Sequence, residues 1–208
     1  MPAAIFMLEP EQIIVFGESA GGFAAAALAG EVKEMFPACR DVTCLVDGAM
    51  TIAEMQKTVK DVWKVKEEFY LPVISDNITV DWLTAQYKQY GESMKFLFIS
   101  SVRDGVLSFF QNVYDTGELH YTKEGGAKYQ QDLQVMCEKL REQIPDIGIC
   151  IYDFPAPDVP AELELTQHTI LLKDNVFDAL RTEEMSPMEW IRDAVAGNIQ
   201  SYGLEVLG

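Results

Sequence analysis

The chain has 208 residues, 49% of them hydrophobic, which suffices for one substantial core and makes a single domain over residues 1–208 the expectation. Its 33 acidic and 16 basic residues give a net charge of −17, so the basic footprint that nucleic acid or an anionic membrane surface requires is excluded. No run has the apolar length that spans a bilayer, and Met1 to Pro10 lack the basic and long apolar regions of a secretory signal, so the expected location is the cytoplasm, or outside the cell if a preceding segment is missing.

The first element is the apolar run Ile13-Ile14-Val15-Phe16, which reads as a fully buried parallel strand. Gly17-Glu18-Ser19-Ala20-Gly21 follows directly, and the alanine-rich stretch from Gly22 to Leu28 then has strong helix propensity. Strand, sharp turn and helix around G-x-S-x-G form the setting of a nucleophile elbow, in which a tight turn presents the serine hydroxyl outward. Small neighbours let strand and helix approach closely enough to hold it there. The helix is expected to end near Pro37.

Val42-Thr43-Cys44-Leu45-Val46 reads as a second buried strand, ending in Asp47-Gly48. A helix is expected over Ile52 to Phe69 with Met55, Val59, Val62 and Lys66 on one stripe, and after Pro72 another around Val80 to Tyr90. Phe96-Leu97-Phe98-Ile99 is a third strand, closing on Ser100 to Gly105. A long amphipathic helix near Lys123 to Gln143 carries Tyr129, Leu133, Met136, Cys137, Leu140 and Ile144 on one face and stops at Pro145.

Ile147 to Tyr152 is the fourth strand; a proline-rich loop follows, and Glu162-Leu163-Glu164-Leu165 alternates like a half-exposed edge segment before Gln167-His168-Thr169. The last helix is signed by Ser186 as N-cap, Pro187 at its first position, Glu189 completing a capping box and Gly197 as the stop. Buried strands separated by helices imply an α/β fold with a mostly parallel sheet flanked by helices.

A serine hydroxyl needs a base to take its proton, and an imidazole base needs a carboxylate to fix its tautomer. The chain has two histidines. His120 sits in a turn-like segment between helices, whereas His168 follows the last strand, where a loop at the carboxyl edge of a parallel sheet would place it, and is the expected base. Asp47 and Asp104 both follow buried strands, both precede glycine, and both satisfy the chain order Ser, Asp, His. Asp104 is preferred as the acid because its strand is next before the one that delivers His168; Asp47 is the alternative. The backbone N–H of Ala20 is the one assignable oxyanion donor. The four cysteines show neither C-x-x-C nor zinc spacing, so buried free thiols are expected and metal binding is not; Cys39 and Cys44 alone are near enough for a local disulfide in an exported protein.

Gly17 to Phe23, Cys44-Leu45-Val46-Asp47-Gly48, Phe98 to Asp104, and His168-Thr169-Ile170-Leu171 followed by Trp190 resemble, in order and over nearly the whole chain, the landmarks of the pectinacetylesterase family. The resemblance implies an α/β-hydrolase fold, removal of acetyl or longer acyl groups from oxygen without metal or cofactor, and a triad of Ser19, Asp104 and His168. Around the acid the family usually has an aromatic residue before the aspartate and a glutamine three after it, where this chain has Arg103 and Leu107. The elbow stands close to the start of the chain, so the expectation is an N-terminally truncated form of that fold whose exposed sheet edge a homo-oligomer would pair. Expected substrates are small esters or neutral acetylated glycans, since the surface charge repels polyanions. The rival expectation is a noncatalytic binding module on the same scaffold; a serine peptidase or thioesterase using the same triad is a further alternative.

Overall fold

The computed structural model describes residues 10–171 and 185–208, so the opening segment read for an export signal lies almost wholly outside the described residues. Four strands form one parallel sheet in the order β1-β2-β3-β4: β1 (Gln12–Glu18), β2 (Asp41–Asp47), β3 (Lys95–Ser101) and β4 (Gly148–Tyr152). Parallel neighbours require crossovers, and among the described residues six α-helices occupy the sequence around them: α1 (Ala20–Met35), α2 (Glu67–Tyr70), α3 (Ile78–Tyr90), α4 (Gly105–Thr116), α5 (Lys123–Gln143) and α6 (Pro187–Val195).

Strand periodicity divides the core in two. Cys44, Val46, Phe96, Phe98, Ile149 and Ile151 point to the face covered by α1, α3 and α5; Leu45, Leu97, Ile99, Cys150 and Tyr152 point to the face where Trp190 and Ala194 of α6 pack. Both faces of β2, β3 and β4 are therefore dry, which explains why these strands read as continuous apolar runs. Removing a buried side chain such as Leu97 or Ile99 down to alanine costs about 2–5 kcal/mol here.

The expected face of α5 is the buried one, and α6 begins with the expected capping box between Ser186 and Glu189. Helix α4 is signed by Asp104 as N-cap and by Gly117 in the left-handed conformation at its end.

Three expectations are corrected. β1 is not buried on both faces: among the described residues it is the sheet's edge, and Ile14 and Phe16 are 45% and 41% exposed while Ile13 and Val15 pack on the core. No single helix spans Ile52 to Phe69. A short wide turn, Thr58–Val62, ends where Lys64 adopts φ 52°, and α2 restarts the chain; Met55 and Val59 are buried, but Val62 faces solvent. Glu162 to Leu165 forms no edge strand, because the chain turns through Ala161–Leu163 and Glu164 is left-handed at φ 53°, anchored by Arg103 and Lys123.

The strands end level: Glu18 pairs with Asp47, Asp47 with Ile99, and Ile99 with Cys150. The chain leaving each strand therefore emerges along one carboxyl edge, where Ser19, Gly48 and Asp104 follow within a few residues.

Candidate active site

Ser19 lies between β1 and α1 with φ 52° and ψ −122°, a backbone that a non-glycine residue occupies at a cost of about 1–3 kcal/mol. Two contacts hold it there. Its N–H donates to the carbonyl of Asp47 at 2.8 Å, and its own carbonyl accepts from Gly22 N–H at 2.9 Å. The turn closes only because Gly17 lacks a side chain: a Cβ there would stand 2.0 Å from the carbonyl oxygen of Gly21. Ala20 is the first residue of α1, so its N–H has no intrahelical acceptor and lies at the positive end of the helix.

Asp104 is fully buried at the start of α4 and both its carboxylate oxygens are engaged. Oδ1 accepts from Leu107 N–H at 2.8 Å, capping the helix, and Oδ2 lies 2.7 Å from Nδ1 of His168. A carboxylate can only accept, so Nδ1 carries the hydrogen and Nε2 is left with its lone pair. Nε2 is buried and has no hydrogen-bond partner, Ser19 Oγ included. Burial pushes the His168 pKa down, but the hydrogen bond to Asp104 and the charges of Asp104, Asp47 and Glu18 outweigh it and leave the imidazole more basic than usual.

His168 reaches this position on a long loop after β4 that is sewn to the end of β3. Thr166 N–H donates to the Arg103 carbonyl at 3.0 Å, Gly105 N–H to the Thr166 carbonyl at 2.9 Å, and Arg103 N–H to Thr166 Oγ1 at 2.9 Å. The Arg103 side chain adds bonds to Gln130 and Glu164, pinning the loop by charge.

Asp47, the alternative acid, is not the carboxylate on His168. Its Oδ2 accepts from the backbone N–H groups of Ile170 at 2.9 Å and Leu171 at 3.1 Å. Burial pushes its pKa up, opposed by those two bonds and reinforced by the charges of Glu18 and Asp104, to about 7. His120 stands apart, exposed beside Glu118 in the α4–α5 connection.

A cavity of about 460 Å³ opens at Ser19 and Ala20. Its walls are almost wholly apolar: Phe23 of α1, Met55, Trp63 and Phe69 from the β2–α3 connection, Trp82 of α3 and Phe110 of α4. The indole N–H of Trp82 is turned to protein and donates to the Phe69 carbonyl at 2.6 Å. These residues escaped sequence reasoning because four separate elements bring them together; the adjacent aromatic pair Phe109-Phe110, of which Phe110 is exposed and lines the cavity, was the available signal.

Among the described residues no group of three or more His, Cys, Asp or Glu side chains is arranged to hold a metal ion, and no helix is long and apolar enough to cross a membrane. Cys39, Cys44, Cys137 and Cys150 are all free and buried. Compared with models of known protein families, with curated proteins and with solved structures, the chain gives no significant match.

Proposed function

We propose that the protein is a serine ester hydrolase of the α/β-hydrolase type that acts on esters with an apolar acyl chain. The observation that carries this reading is the backbone of Ser19, held at φ 52° on a strand-to-helix turn at the mouth of an apolar cavity. A hydrogen-bonded His–Asp pair at the same sheet edge and the likeness of the motifs to pectinacetylesterases support it.

Ser19 Oγ attacks the ester carbonyl while Nε2 of His168 takes its proton, and the carbonyl oxygen becomes an oxyanion facing Ala20 N–H. The tetrahedral adduct collapses, the C–O bond to the alcohol breaks, and His168 returns the proton to the departing alkoxide. Water then repeats the sequence on the acyl-enzyme, releasing the carboxylic acid and Ser19. Asp104 holds the Nδ1–H tautomer throughout and stabilises the imidazolium. Nε2 without a partner is the arrangement of a resting site whose catalytic hydrogen bond tightens with substrate.

The cavity extends the expectation of acetyl groups towards longer acyl chains, since an acetyl methyl would leave most of about 460 Å³ unfilled. The test is labelling of Ser19 with a fluorophosphonate probe together with p-nitrophenyl ester hydrolysis. The expected result is covalent modification and turnover, both lost in Ser19→Ala with the fold retained. An unreactive Ser19 in folded protein overturns the reading in favour of a noncatalytic hydrolase-like binding module, which the unpartnered Nε2 also fits.

A further inference from the structure

Asp47 touches both halves of the site by different atoms. Its carbonyl oxygen accepts the N–H of Ser19, and its carboxylate oxygen accepts the N–H groups of Ile170 and Leu171, two and three residues beyond His168. The next residue, Gly48, has φ 55°, and a Cβ on it would stand 3.0 Å from Thr169 Cγ2 and 3.4 Å from His168 Cε1. The loop is thus seated directly on the end of β2, with Thr169 bent to φ 50° between the two anchored segments. One residue spans the nucleophile turn and the base loop.

We propose that Asp47 is the positioning residue that sets the approach of His168 to Ser19, holding the serine turn by its carbonyl and the histidine loop by its carboxylate. This rests on the esterase reading. The carbonyl arm is backbone and any residue would supply it; the carboxylate arm is specific to the side chain. A neutral amide at position 47 keeps one acceptor but brings an NH₂ group into the fully buried place of Oδ1, which has no partner, and its remaining oxygen accepts two amides with less charge.

The groups whose charges reach Asp47 among the described residues are Glu18 at the end of β1, Asp104 before α4, His168 on the loop, and Cys150, Tyr152 and Tyr129 from β4 and α5. Burial raises the pKa values of those last three, so they stay protonated at neutral pH, while Glu18 and Asp104 push the Asp47 carboxyl towards its protonated form. The Asp47 carboxyl therefore titrates near neutrality, and loss of its charge loosens the grip on the loop as it makes His168 less basic.

The experiment has a kinetic and a spectroscopic arm. Asp47→Asn is expected to lower kcat by about a hundredfold, the effect of a displacement near 1 Å between reacting groups, with KM little changed. Its acid limb of kcat/KM should also move to lower pH, because a negative charge facing His168 is gone. In ¹⁵N-labelled His168→Gln protein, where the imidazole titration is absent, the amide protons of Ile170 and Leu171 should shift together with one midpoint, and in the double variant with Asp47→Asn they should not titrate. An Asp47→Asn protein with unchanged kcat and pH profile, or amides at 170 and 171 that ignore pH in the His168→Gln protein, overturns the inference. The spectroscopic arm stands if Asp47→Asn does not fold. Failure of the esterase reading would show differently, as wild-type protein that neither hydrolyses esters nor takes the probe.

Discussion

The carboxylate of Asp104 does two tasks at once: Oδ2 meets Nδ1 of His168 at 2.7 Å while Oδ1 caps α4 through Leu107 N–H at 2.8 Å. Substitutions separate the tasks. Asparagine is as good an N-cap as aspartate but offers the imidazole an ambiguous partner. Asp104→Asn should therefore keep its stability in chemical denaturation yet lose about 10⁴-fold in kcat, whereas Asp104→Ala should lose activity and also about 0.5–2 kcal/mol of stability.

Strain at Ser19 gives a prediction independent of activity. Because φ 52° disfavours any Cβ, Ser19→Gly should be more stable than Ser19→Ala by about 1–3 kcal/mol, although both are inactive. Equal midpoints in paired urea titrations would mean that the turn is unstrained. Gly17→Ala should be the reverse case, destabilised by about 1–3 kcal/mol or more by overlap with the Gly21 carbonyl.

The pH profile follows from the raised pKa of His168. The base must be neutral to accept the serine proton, so the acid limb of kcat/KM should lie above the ordinary histidine value of about 6.5. For stability the sign is opposite: a folded-state pKa above the unfolded one stabilises the protonated protein, and that contribution fades as pH rises through the folded value. Activity should appear over the same pH range in which this stabilisation is lost, as parallel rate and melting measurements would record.

Asp47 supplies the second linkage. Its folded pKa of about 7 lies above the ordinary 3.8, so the folded chain keeps a proton that the unfolded chain releases, and stability from this group declines as pH rises between those two values. Asp47→Asn should flatten that decline. Thermal melts of the two proteins should diverge in favour of the variant as pH rises from 4 towards 8, even though its turnover is lower.

Chain-length preference tests the cavity. Each methylene that enters it is worth up to about 0.8 kcal/mol, close to fourfold in kcat/KM, so octanoate esters should exceed acetate esters by well over tenfold. Ala24 is exposed and lines the cavity, so Ala24→Trp can fill it without disturbing the core. This variant should lose the octanoate preference; equal rates across chain lengths in the wild type would show that the acyl group lies elsewhere.

Sequence reading went furthest where the physical cause is local. The apolar runs of β2, β3 and β4, the face of α5 and the capping box of α6 follow from periodicity and neighbouring residues, and Ser19 follows from a turn that glycines at fixed spacing permit. Lys64 and Glu164, both left-handed, broke two expected elements, and Glu164 is held by contacts distant in sequence, its salt bridges with Arg103 and Lys123.

Between the two Asp-Gly pairs, chain order and local sequence do not discriminate, and the sequence preference for Asp104 rests only on its strand preceding the one that delivers His168. Asp47 and Asp104 have the same local signature, and only the route of the loop after β4, sewn to Arg103 and Gly105, brings His168 onto Asp104 and leaves Asp47 its neighbours Ile170 and Leu171. The chain sequence thus marked the serine turn, the order of strands and helices and the few groups able to do acid–base work. Partners across the site, the place of β1 at the sheet's edge among the described residues and the apolar cavity were decided by strand register and loop path, because those contacts join residues whose separation along the chain carries no trace of their nearness in space.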